Sequence, residues 1–337
     1  MTQLTAVPSQ GKAHTRPLGR GSPTCGVIVL DKPTGLASNR VLGQVKRLVG
    51  EPKMGFLGTL DPLASGVLPI FVGKATRLIA LFEGLSKTYR VTMKLGERTD
   101  TLDAEGEVIE RRSLEGVSVE RVKMAILSKA GRQRQTVPKY SAVKIGGVPA
   151  YKLARQGEEV PERVRDVELW DLAVEAVALP EVTFRVSCTA GTYIRSLVET
   201  IGLELGIGAH VVALRRLASG SLFTLEESVT LAGIGECLEA GRMDCLRNPA
   251  EFLPDHASLA ISPEQEIQLR EGRTVALDSG LQQTAPEESV DSPGQKKIWT
   301  EGLAVKALRP DGGLAAVGES VRRSDGTLGF RPSRVLI

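Results

Sequence analysis

Apolar residues in the first 230 positions of the 337-residue chain follow two periodicities. Continuous apolar runs and strict alternation both predict β-strands, whereas spacing of three or four residues predicts helices. The strand-like segments are residues 27–30, 66–72, 89–95 and 182–188. The helix-like segments are residues 41–49, 75–82 and 194–205. Because strands and helices alternate along the chain, the pattern predicts an α+β domain with a mixed sheet.

Turn and cap residues refine this pattern. Ile145-Gly-Gly-Val148 predicts a hairpin turn, and Asp311-Gly312 and Asp325-Gly326 predict two more near the C-terminus. Ser38 or Asn39 is expected to cap the first helix, because such side chains accept from the free N–H groups at a helix start.

The pattern changes after about residue 249, where short apolar segments and a long polar stretch replace the earlier periodicity. The short strands and hairpin turns predict a small β-rich domain. The first residues lack periodicity and contain Pro, Gly and Ser, which predicts an unstructured arm. The predicted organisation is a flexible arm at 1–24, a domain at 25–249 and a β-rich domain at 250–337, with a flexible insert at 278–297.

Composition is that of an ordinary folded protein, with 42% hydrophobic and 25% charged residues. No apolar run reaches the roughly 18 residues of a membrane span, and the N-terminus lacks the apolar centre of a signal peptide. We therefore expect a cytoplasmic protein. The four cysteines lie far apart without metal-ligand spacing, which favours reduced thiols and predicts no metal.

The net charge of +3 conceals a local imbalance. Residues 121–165, here called the basic segment, contain eleven Lys or Arg and three acidic residues. Such a run is often only a solvated face, but its size also suits a polyphosphate partner.

One carboxylate, Asp61, lies in a glycine-rich stretch that leads into an apolar strand. The glycines permit close backbone approaches, and Pro62 restricts the backbone of Asp61. Taken alone, the Asp-Pro pair is also typical of a simple turn. The surrounding glycines instead favour a rigid presentation of one acid to a bulky ligand.

The sequence around Asp61 resembles the signature of the TruB family of tRNA pseudouridine synthases, Gly-His-x-Gly-x-Leu-Asp-Pro-x-Ala-x-Gly-x-Leu-Pro. The chain matches every fixed position except Phe56, where the family has histidine. Other family blocks follow in order from residue 26 to about 228. These blocks are Gly26–Gly35, Lys87-Thr-Tyr-Arg90, Pro138–Lys144 with Ala150–Gly157, and Gly191–Leu197 with Gly208–Leu217.

The resemblance implies an α+β pseudouridine synthase domain, with a mixed, largely antiparallel sheet and flanking helices, followed by a small PUA-like RNA-binding domain. It implies isomerisation of uridine to pseudouridine at position 55 in the tRNA T-loop, by base flipping and an aspartate-dependent rearrangement. The expected partner is the tRNA T-arm, bound by a monomer without guide RNA or cofactor.

The resemblance also assigns residue roles. Asp61 is the expected catalytic carboxylate, paired with Arg195. The expected base-binding residues are Phe56, Tyr89, Tyr193 and Leu214. The candidate RNA contacts are Lys32, whose role is either structural or phosphate binding, and Lys139, Lys144 and Arg155.

Two other functions stay open from the sequence. Phe56 suggests a tRNA-binding chaperone of the same fold with weak or lost catalysis. A glycosidic-bond hydrolase would need a second carboxylate, and no second acid occurs in a comparable motif. The sequence also does not choose between addition of Asp61 to C6 of the base and formation of a glycal.

Overall fold

The computed structural model describes residues 25–141, 143–277 and 299–337. The predicted arm at 1–24 and the predicted insert at 278–297 lie outside these residues. The elements up to residue 136 are β1 (Gly26–Lys32), α1 (Ser38–Val49), β2 (Met54–Phe56), β3 (Ala64–Val72), a 3-10 helix (Gly73–Leu78), α2 (Ile79–Phe82), β4 (Lys87–Leu95), β5 (Glu97–Thr99), β6 (Val108–Arg111), α3 (Val119–Leu127) and β7 (Gly131–Thr136).

The second half of the chain continues this alternation and ends in strands. Its elements are β8 (Lys144–Ile145), β9 (Val148–Pro149), α4 (Ala150–Arg155), β10 (Val164–Ala178), β11 (Glu181–Cys188), α5 (Ile194–Glu204), β12 (Ala209–Ser219), β13 (Phe223–Thr224), α6 (Leu231–Glu239), a 3-10 helix (Pro249–Phe252), β14 (Ala257–Ala260), α7 (Pro263–Arg270), β15 (Val275–Ala276), β16 (Ala304–Leu308), β17 (Leu314–Arg322) and β18 (Leu328–Val335).

The main sheet has the strand order β1-β3-β12-β4-β11-β10-β7, with β2 paired to β3 and β13 paired to β12. Within the described ranges, β3 and β12 run parallel and the other pairs of this sheet run antiparallel. The predicted mixed, largely antiparallel sheet is therefore confirmed. In the parallel pair Ala64 lies opposite Leu214, so the start of β3 adjoins the middle of β12.

Both faces of the main sheet are covered. Apolar residues of α1, α3, α5 and α6 form one core with the sheet, as their helical spacing predicts. On the other face a second apolar cluster combines Phe71, Phe82 and Phe223 with Phe252 and with residues of the C-terminal strands. The rings of Phe223 and Phe252 stack at 4.8 Å. This cluster fixes the C-terminal strands against the main sheet.

The C-terminal strands form their own sheet, in the order β14-β16-β17-β18-β15, around a separate small core. Asp311-Gly312 lies between β16 and β17, and Asp325-Gly326 lies between β17 and β18, so both predicted hairpins are confirmed. The predicted turn at Ile145–Val148 also joins two paired strands. The described residues contain no helix long and apolar enough to cross a membrane.

One local prediction was wrong. Neither Ser38 nor Asn39 caps α1; Ala37 stands at that position, and the Ser38 side chain bonds elsewhere in the fold. This difference matters for function, because the partner of Ser38 lies next to Asp61. The predicted short helix at 75–82 is confirmed, as a 3-10 helix that continues into the single turn α2.

Candidate active site

Asp61 lies in the loop of residues 57–63 between β2 and β3, here called the Asp61 loop. The Ser38 hydroxyl at the start of α1 donates to Leu60 O and accepts from Leu60 N, both at 2.9 Å. The Thr34 hydroxyl donates to Leu63 O at 2.6 Å. Side chains from two other elements thus hold the backbone on both sides of the carboxylate.

Lys32 provides a third anchor for the Asp61 loop. Its side chain is fully buried, and Nζ donates to Pro33 O at 2.9 Å, to Leu36 O at 2.5 Å and to Pro62 O at 3.4 Å. Burial lowers the pKa of Lys32 to about 8, although the Asp61 carboxylate opposes this shift. These contacts fit the structural role, one of the two that the sequence left open for Lys32.

Arg216 anchors the start of the Asp61 loop from β12 and was missed by sequence reasoning. Its buried guanidinium donates to Val67 O at 2.6 Å, to Gly58 O at 3.0 Å and to Leu57 O at 3.4 Å. Gly66 makes this close packing feasible. A Cβ atom there would lie 2.1 Å from Arg216 O, and the Gly66 φ of +102° also disfavours a side chain.

Arg195, in the first turn of α5, forms an ion pair with Asp61. Its Nε lies 2.9 Å from Asp61 Oδ2, and the Arg195 side chain is buried whereas the Asp61 side chain is 38% exposed. The terminal nitrogens donate to Thr101 O and Tyr140 O, both at 2.8 Å. Because those nitrogens have backbone partners, the pair uses Nε rather than both terminal nitrogens. The guanidinium is thus fixed on three sides and presents one N–H to the carboxylate.

A second carboxylate, that of Asp103, lies beside the guanidinium of Arg195. Its Oδ2 is 3.7 Å from Arg195 Nε, and its Oδ1 accepts from Thr101 Oγ1 at 2.6 Å and from Glu105 N at 3.1 Å. Asp103 is 4% exposed and does not line the cavity described below. Asp103 was not predicted from the sequence, because an Asp that accepts from a backbone N–H two residues later is also typical of an ordinary turn.

A cavity of about 510 Å³ opens beside Asp61, within the usual volume of small-molecule sites. Tyr89 from β4 and Leu214 from β12 contribute nearly buried side chains to its wall. Tyr193 and Phe56 line it as well, and both are partly exposed. Burial raises the pKa of the Tyr89 hydroxyl, which keeps it neutral. The structure therefore brings the predicted carboxylate and all four predicted base-binding residues to one cavity.

The backbone of Tyr193 is held by Gln135, which sequence reasoning also missed. Gln135 Nε2 donates to Tyr193 O at 2.9 Å, and Tyr193 N donates to Gln135 Oε1 at 2.7 Å. Gln135 belongs to β7 and is 6% exposed. The amide thereby connects the edge strand of the main sheet to the residue just before α5, the helix that carries Arg195.

The other three predicted RNA contacts do not line the cavity. Lys139, Lys144 and Arg155 are exposed, and none forms an ion pair with a carboxylate in the part of the chain that the structure describes. The Arg155 guanidinium lies 5.8 Å from the ring centre of Tyr151. Among the same described residues, no cluster of His, Cys, Asp or Glu side chains could hold a metal ion.

Comparison with known proteins places this site in a family. A model described as the N-terminal domain of TruB family pseudouridylate synthase matches residues 46–194, and one described as the C-terminal domain of tRNA pseudouridylate synthase B matches residues 195–248. A protein of Syntrophotalea carbinolica named tRNA pseudouridine synthase B is 42% identical over 290 residues, which are 86% of this chain and 90% of that protein. Its namesake in Burkholderia lata is 47% identical over 228 residues, covering 68% and 70% of the two chains.

Solved structures agree on the fold. A chain of an H/ACA RNP bound to a substrate RNA containing 2′-deoxyuridine has a TM-score of 0.63 at 24% identity, and the match covers 94% of this chain and 86% of that chain. A Cbf5-Nop10-Gar1 complex gives a TM-score of 0.63 at 26% identity, with 93% and 85% coverage. The fold is that of a pseudouridine synthase. With two family models matched across more than half of its length, the chain belongs to the TruB family of pseudouridylate synthases.

Proposed function

We propose that this protein isomerises uridine to pseudouridine at position 55 in the T-loop of tRNAs. The observation that carries the proposal is the 2.9 Å ion pair between Arg195 and the half-exposed Asp61, at a cavity lined by aromatic and aliphatic side chains. The names of the curated relatives support tRNA as the substrate.

The reaction breaks the bond between N1 and C1′ of the nucleoside, turns the freed uracil and forms a bond between C5 and C1′. The C5 proton leaves, N1 gains a proton, and neither a redox change nor a net hydrolysis occurs. Ionised Asp61 can start this sequence by adding to C6 of the ring or by removing a ribose proton to give a glycal. Arg195 orients the carboxylate for either route.

The cavity residues have separate parts in this proposal. A uridine within a folded loop must be flipped out of its stack before any group can reach it. Tyr89 provides a flat face for the flipped ring, and Leu214 and Tyr193 confine it. Phe56 fills the space that the flipped base leaves and stacks on the RNA there, which requires only an aromatic surface.

The tRNA surface extends beyond the cavity in this proposal. Lys139, Lys144 and Arg155 contact phosphates of the T-arm, and the β-rich C-terminal domain, at 250–337, is a PUA-like RNA-binding domain that follows the catalytic domain at 25–249. The protein acts as a monomer in the cytoplasm without guide RNA. The identity of 42–47% to proteins named tRNA pseudouridine synthase B supports a stand-alone enzyme over a subunit of an H/ACA complex.

Two observations bear on the alternative functions, a tRNA chaperone and a glycosidic-bond hydrolase. Phe56 replaces the family histidine, which favours a catalytically weak tRNA chaperone if that histidine transfers a proton. Asp103 supplies the second carboxylate that a hydrolase needs, but it is buried beside Arg195 and does not line the cavity. A retaining or inverting hydrolase places both carboxylates against the substrate.

Unmodified tRNA labelled with tritium at uridine C5 separates the three functions. The proposed enzyme releases tritium, because C5 loses its hydrogen when it bonds to C1′. A chaperone leaves the label on the RNA, and a hydrolase releases labelled uracil instead. Tritium appearing as water from one T-arm uridine supports the proposal, and its absence at saturating enzyme overturns it.

A further inference from the structure

One basic side chain at the cavity has no role in the mechanism above. Arg165 belongs to β10, is exposed and lines the same cavity as Asp61. Its Cζ atom lies 5.9 Å from the ring centre of Tyr193. In the described part of the chain, its guanidinium forms neither an ion pair nor a hydrogen bond with a carboxylate.

The sheet register explains how Arg165 reaches the cavity. Arg165 lies opposite Gln135 in the antiparallel pair of β10 and β7, and opposed residues of such a pair project to the same face. Gln135 holds the backbone of Tyr193 by two hydrogen bonds. Arg165, on the same face, therefore also lies beside the turn at residues 191–193. A Cβ atom on Gly191 would lie 2.7 Å from Arg165 Nη1. The glycine thus leaves room for the guanidinium against the turn.

The other cations of the cavity already have partners. Arg195 pairs with Asp61, and Arg216 and Lys87 are buried cations whose N–H groups donate to backbone carbonyls. Glu83 is an exposed lining residue of opposite charge. Arg165 is therefore the exposed cation among the described lining residues, with its planar donors directed at no protein acceptor.

We propose that Arg165 binds the backbone phosphate beside the target uridine while that base occupies the cavity. This inference rests on the proposed RNA substrate. A guanidinium matches two phosphate oxygens with parallel N–H donors, and it can do so while lying over an aromatic ring. The contact holds the flipped nucleotide at the phosphate, whereas Tyr89 and Leu214 hold it at the base.

Kinetics on a T-arm stem-loop give the first part of the test. Arg165→Ala should lower kcat/KM by about tenfold, the effect expected when one charge-assisted hydrogen-bonded contact is lost. Arg165→Lys keeps the charge but loses the planar fork, so its kcat/KM should lie between those of the wild type and Arg165→Ala. The matched control is Arg185→Ala, an exposed arginine of β11, the other strand paired with β10, that does not line the cavity, and it should change kcat/KM by less than about threefold.

A neutral methylphosphonate at the linkage either 5′ or 3′ of the target uridine gives the decisive part. One of these substitutions should lower kcat/KM of the wild type by about tenfold and leave the Arg165→Ala variant unchanged, because the contact is already absent. If the loss of kcat/KM from Arg165→Ala and the loss from the methylphosphonate are additive at both linkages, the proposed phosphate contact is overturned. The same result is expected if Arg165 touches only the base or the ribose. If the wild type does not convert the unmodified stem-loop at all, the proposed function itself fails instead.

Discussion

Phe56 is the clearest residue-level departure from the TruB signature. Phenylalanine fills and stacks as histidine does, but it has no hydrogen-bond donor and takes up no proton. Since Asp61, Arg195, Tyr89 and Tyr193 all stand around the cavity, we expect the role of this position to be steric. Phe56→His should change single-turnover tritium release by less than about tenfold, which corresponds to about 1.4 kcal/mol.

Phe56→Ala should cost more than Phe56→His, because it removes the stacking surface that the proposal requires. The two variants therefore form a matched pair at one position. An inert wild type that becomes fast on changing Phe56 to His would show that a proton-transferring group is needed, and would favour the chaperone function.

The buried ammonium of Lys32 predicts a pH-dependent stability. Its folded-state pKa is about 8, below the ordinary value of 10.5, because burial disfavours the charged form. Between these values the unfolded chain binds more protons than the folded chain, so stability rises with pH. Relative to Lys32→Met, the free energy of unfolding of the wild type should rise by about 2 kcal/mol from pH 7.5 to 9.5.

Urea unfolding of both proteins at the two pH values measures this difference, and the Lys32→Met reference cancels the titration of tyrosines and cysteines elsewhere. If the free energies of unfolding of the wild type and Lys32→Met differ by the same amount at pH 7.5 and pH 9.5, Lys32 keeps an ordinary pKa in the folded protein. The buried environment assigned to its ammonium would then be wrong.

Among single residues, the sequence identified those that carry a local signal. Asp61 stands in a glycine-rich signature, and Arg195, Tyr193 and Leu214 stand in recognisable blocks that the fold brings to the same cavity. Asp103 and Gln135 had no such signal, and Arg216 stands in the block Gly208–Leu217 but was given no role there. Each contributes through a partner more than fifty residues away in the chain, and only the folded sheet reveals that partner.

At the scale of elements, the parallel pairing of β3 with β12 depends on Gly66. Gly66→Ala should destabilise the protein by more than about 3 kcal/mol, since it adds a steric overlap with Arg216 O to the cost of a positive φ. Gly50→Ala is the matched control, because Gly50 also has a positive φ, of +76°, but no atom would lie within 4 Å of its Cβ.

Thermal unfolding of the two variants gives the comparison. Gly50→Ala should show only the cost of the left-handed backbone, about 1–2 kcal/mol. If Gly66→Ala is no less stable than Gly50→Ala, the close approach of β3 and β12 does not constrain the Asp61 loop in the way that we describe.

Periodicity predicted most strands and the longer helices because those elements bury one continuous face, as in β4, β11 and α5. The capping prediction failed because a long-range contact overrode a local preference. Ser38 is a good capping residue by type, but it bonds to Leu60 across the fold. Residues 73–78 tighten into a 3-10 helix, a choice that the apolar spacing at 75–82 does not distinguish from an α-helix.

At the scale of the whole molecule, the basic segment should bind RNA through phosphates. Neutralising Lys139, Lys144 and Arg155 together should weaken tRNA binding and reduce the slope of log Kd against log salt by up to about 3, since each phosphate contact contributes about 0.9. Turnover at saturating tRNA should be largely preserved, because none of the three lines the cavity.

The matched control keeps all three charges, with both lysines changed to arginine and Arg155 changed to lysine, and should retain the salt dependence. Binding titrations at several salt concentrations distinguish the two sets. An unchanged slope in the neutral variant would move the RNA-binding surface to another part of the molecule.

In the function that we propose, the Asp61 carboxylate, held by Arg195, converts a tRNA uridine to pseudouridine. The most direct test is tritium release from C5-labelled tRNA by the wild type and by Asp61→Asn, with tRNA binding measured in parallel. The amide keeps the shape but has neither the charge nor the nucleophile, so release should fall at least about a hundredfold while binding is retained. Release by Asp61→Asn above about one hundredth of the wild-type rate would contradict the account.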